Sequence, residues 1–280
     1  MPLNKIKNFF TFYIKNSKLL WSSIFLIILI IISNLVPYIG FYKYSLKPIY
    51  VANQSISFTN WFGTDSTGYD IFSRMMGGVK ISLSIAFVVV FLSCILGTFL
   101  GIISGYFRGF LDQLINFICD FIIIIPEFIL VVLIMSFCKK DILALILVLI
   151  ICQLPSFIRI SRINVLELKQ KDFIKSSKSL GSDDLQIIKR HILPHILPVA
   201  ITQITMKIAS SILSIAALGF IGLALEPSTP EWGSILRSVQ QTFLDYPQLL
   251  LGPFLIMFLT ILSLNLIGRG LIEYFNKEGF

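Results

Sequence analysis

Charge is scarce in this sequence. Only 14% of its 280 residues are Asp, Glu, Lys or Arg, where a soluble domain carries about 25%. With 56% hydrophobic residues and a mean hydropathy of +0.86, the apolar side chains outnumber what one core of this length can hide. That excludes an ordinary soluble enzyme, a disordered chain, collagen and a secreted disulfide scaffold. Cysteine is scarce too: Cys94, Cys119, Cys138 and Cys152 lie in or beside apolar runs, and none forms a C-x-x-C pair. They read as small buried hydrophobes rather than zinc ligands or a redox motif. There are two histidines, His191 and His195. Their i, i+4 spacing would suit a metal, but no third ligand stands nearby, so they read as surface residues at a helix end. Asp65, Gly68 and Asp70 lack the acid spacing and terminal Glu of a calcium loop and read as a capped turn. No Gly is followed directly by Lys, so no phosphate-cradling G-x-x-x-x-G-K-[ST] loop exists. No Ser/His/Asp or Cys/His set is placed for catalysis. The expectation is a chain with no catalytic residue, no metal site and no bound cofactor.

Long apolar runs are what the chain has instead, and lipid is the solvent that suits them. They predict an all-α membrane protein with six spanning helices, near Leu19–Val36, Ile81–Gly105, Leu114–Phe137, Ile142–Ile158, Val199–Leu225 and Leu249–Ile272. The runs are continuous rather than alternating, which excludes a β-barrel. The first run is too long for a signal-peptide core and no A-x-A-like site follows it, so it reads as an uncleaved span. The net charge of +8 lies mostly between the apolar blocks. It therefore points to membrane orientation, with lipid and not nucleic acid as the neighbour. With the N-terminus inside, fifteen Lys and Arg, from Lys5 and Lys7 to Lys277, fall in inner segments. Seven fall in outer ones, Lys43 and Lys47 among them, and Lys207 lies inside a span. The bias predicts a multi-pass protein of the cell membrane with both termini cytoplasmic.

One large inner segment results, Arg159–Pro198. Glu167 to Lys178 is polar and rich in helix formers. Gly181 stands where a helix ends with a left-handed residue. Ser182 reads as the N-cap of a second short helix, with Asp183 and Asp184 in its first turn and Lys189, Arg190 and His191 in its last, matching the helix dipole. Pro194 and Pro198 are expected to stop it. Leu185, Ile188 and Ile192 form a narrow apolar stripe. Such a helix either lies on the lipid surface or docks into a groove of a soluble partner, and composition leaves both open.

Lys175-Ser176-Ser177-Lys178-Ser179-Leu180-Gly181, followed by Arg190-His191-Ile192-Leu193-Pro194, resembles the EAA loop of ABC importer permeases. The Gly and Leu-Pro anchors keep their spacing. Lys175, Ser176 and Ser177 replace Glu-Ala-Ala, and His191 replaces Ile. Phe62-Gly63-Thr64-Asp65, with Gly68, Asp70, Ser73 and Arg74, resembles the G-T-D-x-x-G-R-D-x-x-S-R run before the second span in the peptide/nickel branch. Tyr69 stands in place of that Arg. Ser104-Gly105-Tyr106-Phe107-Arg108-Gly109 resembles the branch's A-G-Y-F-G-G exit. Gly219-Phe220-Ile221-Gly222-Leu223, then Glu226-Pro227-Ser228-Thr229-Pro230-Glu231-Trp232-Gly233, is similar to its F-L-G-L-G-x-x-P-P-x-P-E-W-G segment. The likeness covers about residues 60 to 272.

The resemblance is to the C-type permease subunit of dipeptide, oligopeptide and nickel importers. It implies a type I, MetI-like permease fold with a cytoplasmic coupling helix. Residues 1–60 would hold the tail, first span and external loop, and 61–280 the permease domain with the EAA-like loop 159–198. It further implies a homologous partner permease, two ATP-binding subunits that use ATP and Mg, and an external substrate-binding protein. The coupling residues would be Leu180, Gly181, Ser182, Asp183, Asp184, Leu185, Ile188, Leu193 and Pro194. Peptides are the leading cargo, and nickel or a metal chelate is the alternative. A secondary transporter would need internally repeated halves and a midplane ion site; neither is evident, and the inner segment would go unexplained.

Three further features carry an expectation. Ser93, Gly97, Gly101 and Gly105 recur every four residues, so helix backbones can approach closely there. The seam is either ordinary packing within the chain, the simpler reading, or contact with a sister permease. Pro126 should kink the third span. Glu127, a carboxylate inside that span, marks a translocation pathway, or else it reaches water or a partner helix.

Overall fold

The computed structural model describes residues 11–38, 51–58, 60–226, 229–240, 242 and 244–277; Lys5, Lys7, Lys43, Lys47, Pro227 and Ser228 lie outside them. The helices are α1 (Ser17–Leu35), α2 (Ile71–Phe107), α3 (Gly109–Ile124), α4 (Glu127–Phe137) and α5 (Ile142–Leu168). They continue as α6 (Asp172–Ser179), α7 (Asp184–Ile187), α8 (Leu193–Ile221), α9 (Trp232–Val239) and α10 (Gln248–Lys277). Among the described residues there is no strand, only an isolated bridge between Thr64 and Asp70. Five helical stretches are long and apolar enough to cross a membrane: α1, α2, α5, the continuous Asp184–Ile221 rod and α10.

The sixth span departs from expectation. Leu114–Phe137 is not one helix. Ile125 and Pro126 adopt extended backbone, and α3 meets α4 at 89°. Proline disfavours helical backbone in the residue before it and cannot donate its own amide, so Ile125-Pro126 ends α3 and lets α4 start afresh. The pair makes a sixth crossing if both arms are counted together.

Helix α2 is the central rod. Asp70 caps it: its Oδ2 accepts from the Ser73 amide and hydroxyl, both at 2.8 Å. Just upstream, buried Asp65 accepts from Thr67 N, Tyr69 N and Arg74 Nη1. That is the expected capped turn, closed by an ion pair of 2.7 Å. Along α2, the small residues face α5. A methyl on Gly97 would meet Phe157 Cβ at 2.5 Å, one on Gly101 the Ile158 carbonyl at 2.6 Å, and one on Gly105 the Arg162 carbonyl at 2.9 Å. The two backbones therefore touch, and glycine is what permits it. Ser93 is fully buried on the same rod, its hydroxyl unpartnered.

The main core gathers Met75, Val89, Leu145, Leu149, Ile212, Ile215 and Trp232 among others, joining α2, α5, α8 and α9. A second, smaller core lies at the far end of α2: Ile102, Tyr106, Val165, Leu168, Ile174, Ile187, Ile192 and Ile196. Outside, α1, α3, α4 and α10 display exposed Ile, Leu and Phe side chains in rows, as a hydrocarbon solvent requires.

Candidate functional site

The Arg159–Pro198 segment is less of a loop than its sequence suggests. Helix α5 runs on to Leu168, and the second helix flows directly into α8, leaving α6 and two short turns between them. Helix α6 ends as glycine dictates. Gly181 sits at φ +86°. Its amide donates to Lys178 O at 3.1 Å, and the Ser182 amide to Ser177 O at 3.2 Å. Both bonds belong to a Schellman closure.

Three expectations change here. Ser182 is not the N-cap. Asp183 takes that place, its Oδ1 accepting from the Gln186 amide at 2.7 Å, while Ser182 Oγ accepts from Ser177 Oγ at 3.0 Å. The longer Glu167–Lys178 helix is also interrupted at Lys169–Lys171. Nor do Pro194 and Pro198 stop the helix. A π turn, Ile188–Ile192, precedes Pro194, with the Leu193 amide reaching back to Ile188 O. A proline ring clashes with the carbonyl four residues earlier in an α-helix. The wider turn moves that carbonyl aside, and the rod continues to Ile221.

The π turn also splits the expected stripe. Ile192 is fully buried with Ile187 in the second core and Ile188 packs half-buried against it, but Leu185 stands 61% exposed. Leu180, at the glycine turn, is 86% exposed. The free apolar tip is therefore Leu180 and Leu185, with Asp183 and Asp184 beside them. Leu193 lies half-buried at the start of α8, ahead of Pro194.

Sequence reasoning missed what fastens this tip. Tyr106, near the end of α2, donates its hydroxyl to Asp184 Oδ1 at 2.6 Å. Lys169 Nζ donates to the Tyr106 carbonyl at 2.6 Å and stands 4.7 Å over its ring. Burial, then the charges of Arg108 and Lys178, hold the Lys169 pKa below the usual lysine value, with Asp184 opposing them. Close by, Arg162 grips both oxygens of Asp112 at 2.6 and 2.8 Å, tying α5 to α3. Arg159 Nη2 also pairs with Asp120, through one carboxylate oxygen. The available signal was the lone acids of α3 facing the arginines of α5.

At the depth of the spans lies a second polar group. Glu127 opens α4, exposed on the chain's surface, and accepts from Ser214 Oγ of α8 at 3.3 Å. Lys207, midway along α8, donates to Ser156 Oγ of α5 at 2.9 Å. Gln153, fully buried, donates to Ser211 Oγ at 2.6 Å, and its own carbonyl has no partner. The opposite end of the bundle carries Glu231, fully buried at the head of α9. It accepts from Gly233 N and Ser234 N, and Ser234 completes a capping box. Burial pushes its carboxyl up to about 7, against those hydrogen bonds and the charge of Arg74. Gly219 leaves the room this carboxylate occupies.

Residues 97–278 match the family model of the binding-protein-dependent transport system inner membrane component. The chain belongs to that family. It is thus an ABC importer permease of the cell membrane, multi-pass and helical. This permease is 42% identical over 219 residues to the glutathione transport system permease protein GsiD of Shigella flexneri serotype 5b (strain 8401), covering 78% of its own chain and 72% of the relative. It is 40% identical over the same length, with the same coverage, to the GsiD protein of Escherichia coli O6:K15:H31 (strain 536 / UPEC). Its fold matches a structure of the MetNI methionine ABC transporter in inward-facing conformations. There the TM-score is 0.61 and the identity 20%, over 73% of this permease and 97% of the other chain. As a transport permease it is not an enzyme of its own. Among the described residues no group of three His, Cys, Asp or Glu is placed to hold a metal.

Proposed function

We propose that this permease passes short peptides across the membrane, driven by separate ATP-hydrolysing subunits that dock on the Leu180–Ile192 tip. The single observation that carries the docking is the tip's two-sidedness. Ile187 and Ile192 anchor it in the second core, while Leu180 and Leu185 stand free beyond it. A rigid, anchored helix with an unpartnered apolar tip suits insertion into a groove on a soluble partner. One arm of the tip runs straight into the α7–α8 rod, and the other reaches α5 through α6. Closure of two ATPases, using ATP and Mg, would therefore tilt those spans directly. A homologous permease would complete the pore, and an external binding protein would deliver cargo to the α9 side. The fifteen-to-seven basic bias supports cytoplasmic termini and a cytoplasmic tip. Peptide cargo is supported by the two relatives, each a glutathione transport permease.

The test is co-purification of the permease with its ATPases and uptake of labelled trialanine in vesicles. Leu180→Asp with Leu185→Asp should leave the permease in the membrane and strip the ATPases from it, because charge enters an apolar groove. Full ATPase association and full uptake in the double variant would sink the docking reading.

A further inference from the structure

We infer that Glu127 and Lys207 together form a transit site for the two charged ends of a short peptide, the carboxylate receiving the ammonium end and the lysine the carboxylate end. The inference rests on the peptide reading above. Lys207 stands inside an apolar span and Glu127 at the break between two apolar arms, places where a charge is costly. Keeping two such charges calls for a use, and mutual neutralisation is the first to consider. The geometry argues against that as their only role. Among the described residues no ion pair joins the two. Each is held by a serine instead: Glu127 by Ser214 and Lys207 by Ser156.

The spacing suggests what fits between them. Lys207 and Ser214 share one face of α8, seven residues apart, or about 10 Å along the axis. An extended peptide of three residues spans at most about 10–11 Å. A zwitterion of that length can lie along α8 with its ammonium at Glu127 and its carboxylate at Lys207. Glu127 is exposed on this chain. A carboxylate facing hydrocarbon is disfavoured, so its open side belongs to a watery path or a neighbouring subunit. The break at Pro126 places it there: α4 restarts with Glu127 in its first turn, where a carboxylate also matches the helix dipole. Ser210, exposed on α8, and the buried Ser211 turn their hydroxyls to the Lys207 carbonyl, at 3.0 and 2.7 Å. Those bonds go to the main chain, and the ammonium of Lys207 donates to Ser156 Oγ, which leaves further donor N–H groups for an anion.

The experiment uses the complete importer in proteoliposomes, with trialanine, N-acetyl-trialanine and trialanine amide as probes. Uptake of each probe by a variant is expressed relative to wild type. Lys207→Met should lower trialanine uptake about tenfold, the size of one lost charge-assisted contact, while changing trialanine amide less than twofold. Glu127→Gln should mirror this, sparing the N-acetyl probe. Binding-protein-stimulated ATP hydrolysis, retained in both variants, shows that the complex is assembled. If either variant fails to assemble, Lys207→Arg and Glu127→Asp replace it and should keep the wild-type preference among probes. Equal loss on all three probes, or no loss on any, overturns the transit site while leaving the peptide reading intact. A wild-type importer that takes up none of the three overturns the peptide reading, and the transit site with it.

Discussion

The bond from Tyr106 to Asp184 is the joint at which the Leu180–Leu185 tip meets the central rod, and Tyr106→Phe removes it with almost no change in volume. Tyr106 is 5% exposed, so its hydroxyl has little access to water. Hydrogen bonds to charged partners contribute about 1.5–3 kcal/mol. The Asp184 side chain is 47% exposed, so solvent screening reduces the figure to about 1–2 kcal/mol. That corresponds to a factor of about 5–30 in the local opening equilibrium. Native-state hydrogen exchange of the purified permease reads this directly. Amides in 184–192 should lose protection by that factor, while those in 148–158, in the middle of α5, should not change. Lys178→Ala serves as control. Its ammonium lies 3.7 Å from the same carboxylate on an exposed side chain, and its loss should change protection by less than twofold. Unchanged protection of 184–192 in Tyr106→Phe would refute the claim that this bond holds the tip to α2.

Three further outcomes follow from the geometry. Gly101→Ala puts a methyl 2.6 Å from a backbone carbonyl of α5, so the two rods must part at a cost of about 1–3 kcal/mol; a lower melting temperature in detergent checks it. Arg108 holds φ +57° and ψ −156°, backbone that side chains resist and glycine does not, at a cost of about 1–3 kcal/mol. Arg108→Gly should therefore raise the melting temperature, and a fall would show that the Arg108 side chain contributes more than the strain costs. Glu231 gives a pH dependence. An acid with a folded pKa of about 7, above its ordinary 4.5, binds more protons folded than unfolded, so stability is greatest at low pH and declines between those values. At about 1.4 kcal/mol per pKa unit the decline is roughly 3 kcal/mol. Melting should fall across this window in wild type and stay level in Glu231→Gln.

The spans were legible in the sequence because lipid imposes a signal that survives without neighbours: about twenty apolar residues in a row. So was the turn at Gly181, since a left-handed backbone favours one residue type. What misled was any inference that carried helical phase across a break. Leu185 and Ile192 share a face only if every turn between them is α, and the π turn adds a residue of rotation. Pro194 looked like a stop because its penalty presumes α geometry behind it. The third span looked whole because composition cannot give an angle, and Ile125-Pro126 sets one of 89°. The contacts of Tyr106, Asp112 and Lys207 were out of reach for another reason. Their partners are 78, 50 and 51 residues away, and no local pattern encodes such pairings.

Helix α2 contains 37 residues and no proline. Such a rod is about 55 Å long, against a hydrocarbon layer of about 30 Å. The rod is longer than that layer by almost half its own length. One end is clamped by the Asp65–Arg74 turn and the other by the Tyr106–Asp184 bond. Unbroken by proline and packed along α5, it is a stiff lever. A tilt of about 10° about its centre carries each tip roughly 5 Å in opposite directions for a rod of that length. A small push on one side of the membrane would thus become a displacement the width of a water molecule or more on the other, shared with α5, whose backbone α2 touches.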